Sequence, residues 1–178
     1  MGSFPYIRVG GSSQDWTRFD PKQTEAYKHD DVNVGEWKYI IGPKFFDALK
    51  TIPTKVSHGF NLISMFDDDY PTREMARWSL RNMTMAACEV LDESNTASIE
   101  IGNEPDLYPN QHRVDHIPDW SPSKYASFWN QAADMINKNC PKFGTTIKFQ
   151  APSIAGSGNR NFFSSALKLD YIGEIGVH

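Results

Sequence analysis

Thr96-Ala97-Ser98-Ile99-Glu100-Ile101-Gly102-Asn103-Glu104-Pro105-Asp106 reads as a short strand with a chemical group at its end. Ala97, Ile99 and Ile101 alternate with Ser98, Glu100 and Gly102, the two-residue period of a sheet element. Pro105 brings no backbone N–H, so it cannot continue a central strand and the run ends near Glu104. A carboxylate beside an amide side chain at a strand's C-terminal end is what a parallel α/β barrel offers where it gathers reactive groups. If the alternation holds to residue 104, Glu100 shares the inward face with Glu104. An inward glutamate below the rim must be paired or protonated, and Arg8 is the candidate partner.

Toward the N-terminus, residues 71–92 predict a helix with Ala76, Leu80, Met83, Ala87 and Val90 on one buried stripe. Asp67-Asp68-Asp69 reads as a solvated loop, because three consecutive carboxylates lack the spacing of a calcium loop. Residues 55–63 form a strand with Val56, His58 and Phe60 on one parity, His58 being a satisfied core or rim histidine. Gly42-Pro43 opens a helix carrying Phe45, Phe46, Leu49 and Ile52, and Pro53 stops it. Tyr6-Ile7-Arg8-Val9 is the first strand and runs into Gly10-Gly11, where a tight turn or close approach of a ligand is possible. Residues 16–41 read as a long polar loop pinned by its aromatic side chains.

Toward the C-terminus, residues 106–120 are kept irregular by Pro109 and Pro118. Tyr108, His112, His116 and Trp120 there are expected to face a ligand; the histidines fit no metal-binding spacing. Ser121-Pro122 starts a helix whose buried face is Tyr125, Phe128, Trp129, Ala132 and Ile136. A strand at 146–151, a short helix at 162–168 and a last strand at 172–178 complete the chain. Five strands alternating with helices predict a parallel sheet with right-handed crossovers. No Gly-x-Gly-x-x-Gly, no Gly-x-x-x-x-Gly-Lys-Ser/Thr and no Gly-x-Ser-x-Gly is present, which disfavours a dinucleotide fold, an NTPase and an α/β-hydrolase.

Three motifs carry a resemblance. Glu100-Ile101-Gly102-Asn103-Glu104-Pro105-Asp106 resembles the acid/base motif of glycoside hydrolase family 79, the clan A group of β-glucuronidases and heparanases. Arg8-Val9-Gly10-Gly11 followed by Gln14-Asp15 looks like that family's second-strand motif, and Gly59-Phe60-Asn61 resembles the end of its third strand. The resemblance implies a retaining glycoside hydrolase acting on a β-glucuronide or a uronic-acid-containing glycan, with Glu104 as general acid/base. It further implies that Asn103 bonds the sugar 2-hydroxyl. Arg8 would enter the barrel, and Gly11, Asp15, Asn61 and His178 would line the donor-sugar subsite. No metal or organic cofactor is implied, and family members are largely secreted or lysosomal. Alternatives are another clan A specificity, such as a xylosidase or arabinofuranosidase, and a truncated product that binds carbohydrate at most or has no function.

The resemblance places residues 1–178 in the middle of a (β/α)₈ barrel, from about strand two to strand six. The expectation is an incomplete barrel domain without the first strand, the last two strands and the companion β-sandwich. The family's nucleophile, a glutamate on strand seven, would lie beyond His178, and Glu174 sits too deep in its strand to replace it. Two open sheet edges would make the isolated chain marginal, oligomeric or aggregation-prone, so the rest of its own barrel is an expected partner.

Composition fits this picture. Of 178 residues 39% are hydrophobic and 22% charged, enough for one core. A net charge of −4 with scattered Lys and Arg gives no nucleic-acid or membrane footprint. The N-terminal residues show no signal-peptide pattern. Cys88 and Cys140, in or beside helices, are expected to be buried free thiols, with a disulfide as the alternative. Asn82-Met83-Thr84 is a glycosylation sequon inside a predicted helix, an unfavourable place for its use.

Overall fold

A computed structural model of the chain describes residues 6–29, 37–66, 70–111, 117, 119–156, 160–162 and 169–177. Five strands form one sheet: β1 (Ile7–Val9), β5 (Val56–Phe60), β6 (Thr96–Ile101), β7 (Phe149–Ile154) and β8 (Ile172–Val177). They lie side by side in chain order and every pair is parallel. A doubly wound sheet reverses its strand order at a switch point. This order runs one way, as in an arc of a (β/α)₈ barrel.

The two faces differ as an arc requires. Outward, Val56, Phe60, Ile99, Ile101 and Phe149 join a core with the helices α1 (Pro43–Lys50), α2 (Tyr70–Val90) and α3 (Pro122–Asn139). Trp129 of α3 meets Phe149 edge-on at 5.8 Å, a packing worth about 0.5–1.5 kcal/mol beyond the burial itself. Inward, the Ser57 and Ser98 hydroxyls lie 2.7 Å apart and Ser57 Oγ donates to Gln150 Oε1 at 3.0 Å. Ser57, Ser98 and Glu100 are buried, so this polar face is the concave inside of the arc.

The helices begin and end where their sequences dictate. Ser121 Oγ accepts the Lys124 N–H at 3.3 Å and Pro122 occupies the first helical turn. Ala76, Leu80, Met83 and Ala87 of α2 are buried, and the sequon residue Thr84 is buried with its hydroxyl bonded to Leu80 O.

Five expectations need correction, the last of them at His58. Residues 16–41 are not only loop: β2 (Thr17–Phe19), β3 (Tyr27–His29) and β4 (Tyr39–Ile41) form a small sheet in the order β2-β4-β3. Strands of three residues are too short to show a period, although Phe19 and Trp37 do reach the core as pins. The fourth predicted strand lies at Phe149–Ile154, three residues later than expected, and contains Pro152 after a cis peptide bond. Cys88 and Cys140 form a disulfide with their Cα atoms 5.8 Å apart. The cause is topological: successive crossover helices run parallel, so the C-terminal ends of α2 and α3 meet, and Lys142 Nζ also bonds Cys88 O there at 2.6 Å. Fourth, Tyr108 does not face a ligand; it is wholly buried. Asp67, Asp68, Asp69, His112, His116, His178 and most of the predicted helix at 162–168 lie outside the described residues.

His58 is buried as expected, but it is not satisfied. Its ring sits 5.2–5.5 Å from those of Phe45, Phe46 and Phe60, and neither nitrogen completes a hydrogen bond. Burial lowers its pKa from 6.5 to about 4, against a weaker opposing influence of the Val9 backbone. The unfolded chain therefore takes up this proton at a higher pH than the folded one. The folded state keeps its full stability above pH 6.5 and loses about 3 kcal/mol as pH falls through 4. Unfolding midpoints measured from pH 7 to 4 should fall, and His58→Phe should remove most of that slope. The disulfide closes a separation of 52 residues, so reduction should lower stability by about 4 kcal/mol, read as the shift in urea midpoint with reductant.

Candidate active site

β6 ends at Ile101, and the chain then turns through Gly102 at φ 76°, Asn103, and Glu104 at φ 49°. A Cβ at residue 102 would lie 2.9 Å from the Tyr108 hydroxyl and 3.0 Å from Leu62, so glycine is required there for space as well as for φ. A glutamate in the left-handed region costs on the order of 1 kcal/mol or more and persists only where its surroundings hold it. Here they do. Gly102 N–H donates to Phe60 O at 2.9 Å, Glu104 N–H to Ser153 O at 2.7 Å, and Leu107 N–H to Glu104 O at 2.9 Å. Asp106 Oδ1 accepts the Ala155 N–H at 3.1 Å, and Trp120 Nε1 donates to Pro105 O at 2.9 Å. The ends of β5 and β7 thus continue to grip the chain after the β6 ladder has finished.

The expected partner of Glu100 is the observed one. Arg8 Nε donates to Glu100 Oε2 at 2.7 Å and Nη2 to Oε1 at 2.6 Å, a bidentate pair. The Glu100 side chain is 1% exposed and that of Arg8 32%. Burial opposes the Arg8 charge, but the hydrogen bonds and negative charge of Glu100, with Glu104 and Asp15 nearby, outweigh it and raise its pKa. Arg8 Nη2 also donates to Asn103 Oδ1 at 2.6 Å, and Asn103 Nδ2 lies 3.4 Å from Glu104 Oε2. Arg8, Asn103 and Glu104 therefore meet at one end of the arc.

The other sequence-derived candidates take their places around this group. Asn61, almost buried, donates from Nδ2 to the backbone oxygens of Asp15 at 2.9 Å and Thr17 at 3.1 Å, which anchors the loop after β1. Asp15 is buried and its Oδ1 lies 3.4 Å from the Tyr108 hydroxyl. Gly11, at φ 79°, donates its N–H to Gln14 Oε1 at 3.2 Å. His178 lies outside the described residues. Gln14 enters the sequence reading only as part of the second-strand motif, yet it shapes the loop. A Cβ on Gly10 or on Gly59 would collide with its Oε1, so both glycines make room for this one side chain. A glycine just past β1 and another on the adjacent β5 were the available signal. Among the described residues no cluster of three or more His, Cys, Asp or Glu side chains is placed to hold a metal ion.

No family model matches the chain. A β-glucuronidase of Aspergillus niger is 33% identical over 169 residues, covering 89% of this chain and 30% of that protein. A β-glucuronidase of Neurospora crassa is 28% identical over 180 residues with the same coverage. The chain thus spans about 30% of the length of these curated relatives. A solved 4-O-α-L-rhamnosyl-β-D-glucuronidase of Fusarium oxysporum, in complex with Rha-GlcA, superposes with a TM-score of 0.76 at 18% identity, over 99% of this chain and 36% of that one. That likeness bears out the partial barrel, and the relatives bear out the resemblance to glycoside hydrolase family 79.

Asn61 gives a direct test of the loop's anchorage. Asn61→Ala removes two hydrogen bonds and leaves backbone oxygens of residues 15 and 17 without that donor. It should cost about 2 kcal/mol in chemical denaturation, and limited proteolysis should cut first within residues 10–17.

Proposed function

We propose that this chain is the acid/base-bearing segment of a retaining β-glucuronidase, with Glu104 as the general acid and then the general base. The observation that carries the reading is the strand end itself. Glu104 follows β6 at its C-terminal end, in a left-handed backbone, with Asn103 Nδ2 3.4 Å from its carboxylate. Similarity to fungal β-glucuronidases along 89% of the chain supports the specificity.

The chemistry follows from two carboxyl groups. Protonated Glu104 gives its proton to the glycosidic oxygen as the bond to the anomeric carbon breaks and a second carboxylate attacks that carbon. The Glu104 carboxylate then takes a proton from water, whose oxygen displaces the second carboxylate and releases the sugar. The second group must stand about 5–5.5 Å from the first. Family resemblance assigns it to barrel strand seven, which the five strands described do not include. Turnover therefore needs the remainder of the barrel as a partner. A disulfide between Cys88 and Cys140 supports a secreted, oxidising location.

The test is a panel of 4-nitrophenyl β-D-glucuronide, β-D-xyloside and α-L-arabinofuranoside, using a complete polypeptide that contains this segment. The glucuronide should be cleaved preferentially, and Glu104→Gln should lower kcat by about 10²–10⁴-fold with the fold intact. Preference for the xyloside or arabinofuranoside overturns the specificity. Undiminished turnover by Glu104→Gln overturns the assignment of the acid.

A further inference from the structure

A terminal amide is ambiguous: one end accepts hydrogen bonds and the other donates them, and which end faces a ligand decides what it can recognise. At Asn103 the ambiguity is removed from behind. Arg8 is a donor only, so the Asn103 atom 2.6 Å from its Nη2 is the acceptor Oδ1. Asn103 Nδ2 is left on the side of Glu104, 3.4 Å from Oε2.

Arg8 can perform this task because it is itself held. Its side chain is a third exposed and long enough to adopt many rotamers, yet two short bonds to Glu100 fix the plane of the guanidinium. Glu100 is wholly buried and sits on β6 three residues before Asn103, so one strand supplies both the clamp and the group being oriented. A buried carboxylate with no chemistry of its own is costly to retain. An arginine needed at a defined angle gives it a use.

We propose that Glu100 is a positioning residue which, through Arg8, fixes the Asn103 amide with its N–H₂ end toward the ligand beside Glu104. The site then demands a hydrogen-bond acceptor on the sugar next to the bond being broken. The consequence for substrate rests on the glycosidase reading above; the orientation of the amide does not.

The two can be tested apart on a complete polypeptide that contains this segment, labelled with ¹⁵N at asparagine side chains. In ¹⁵N spectra the Asn103 side-chain amide is followed while methyl β-D-glucuronide is titrated. Wild type should show one sharp, slowly exchanging Asn103 pair that shifts on titration. Glu100→Gln, which keeps shape and removes charge, should broaden or split that pair and weaken glucuronide binding about tenfold, with backbone resonances elsewhere unmoved. Glu100→Asp should restore part of both effects. An Asn103 pair and an affinity unchanged in Glu100→Gln overturn the proposal. If that variant does not fold, Arg8→Lys decides, because a lysine cannot hold Glu100 and Asn103 in one plane: an unmoved Asn103 pair there overturns it equally. An amide that responds to these substitutions in a chain that binds no glucuronide supports the positioning role and counts against the glucuronide reading alone.

Discussion

Glu100 cannot be left alone. A carboxylate with 1% of its side chain exposed would cost several kcal/mol if ionised without a partner, and the partner comes from β1, 92 residues earlier. β1 and β6 are not neighbours; β5 lies between them. The pair therefore spans the concave face, and it can do so because β5 offers that face only Ser57 and Gly59. The contact ties the first strand of the arc to its central strand without help from the backbone ladder. It also fixes where Arg8 ends, beside Asn103. A single ion pair thus links two non-adjacent strands across the concave face and sets the arrangement of the rim.

This explains an unusual division of the sheet. In most half-buried sheets the polar face is wet and the apolar face dry. Here both are buried: the outer face through aromatic and aliphatic contact with three helices, the inner one through hydroxyl, amide and ionic contacts between strands. The outer contacts are non-directional and tolerate exchange of similar shapes. The inner ones are directional, so they set register as well as energy. Ser57 pairs Ser98 in register, and Gly59 pairs Glu100.

The parts of the molecule that could be read from sequence are those with a period. β6 alternates cleanly, α2 and α3 show stripes, and the glycine and proline positions mark their ends. The inward parity of Glu100 and its pairing with Arg8 followed from alternation plus the cost of burying a charge. What could not be read was decided by parts of the chain meeting in space. The three-residue strands β2 to β4 exist because they cover one another. The Cys88–Cys140 disulfide exists because two parallel helices end together. The sequence suggests Asn61 as a lining residue of the sugar subsite, but it contains no sign that the same amide is bonded to the backbone of residues 15 and 17.

The rim around Glu104 is the place where these two kinds of information join. Its residue types are local, within one run of eleven. Its geometry is not. The backbone of Glu104 is held by β7 through Ser153, the turn before it by β5 through Phe60, and the neighbouring amide by β1 through Arg8. Three strands from separate parts of the chain converge on three consecutive residues, Gly102, Asn103 and Glu104. A left-handed glutamate is tolerable under that degree of constraint and would relax without it. The constraint also has a chemical result: it sets the Asn103 amide nitrogen beside the Glu104 carboxyl group, 3.4 Å from Oε2. The motif alone names a carboxyl and an amide; the packing of β1, β5 and β7 around it turns them into a pair with a defined orientation.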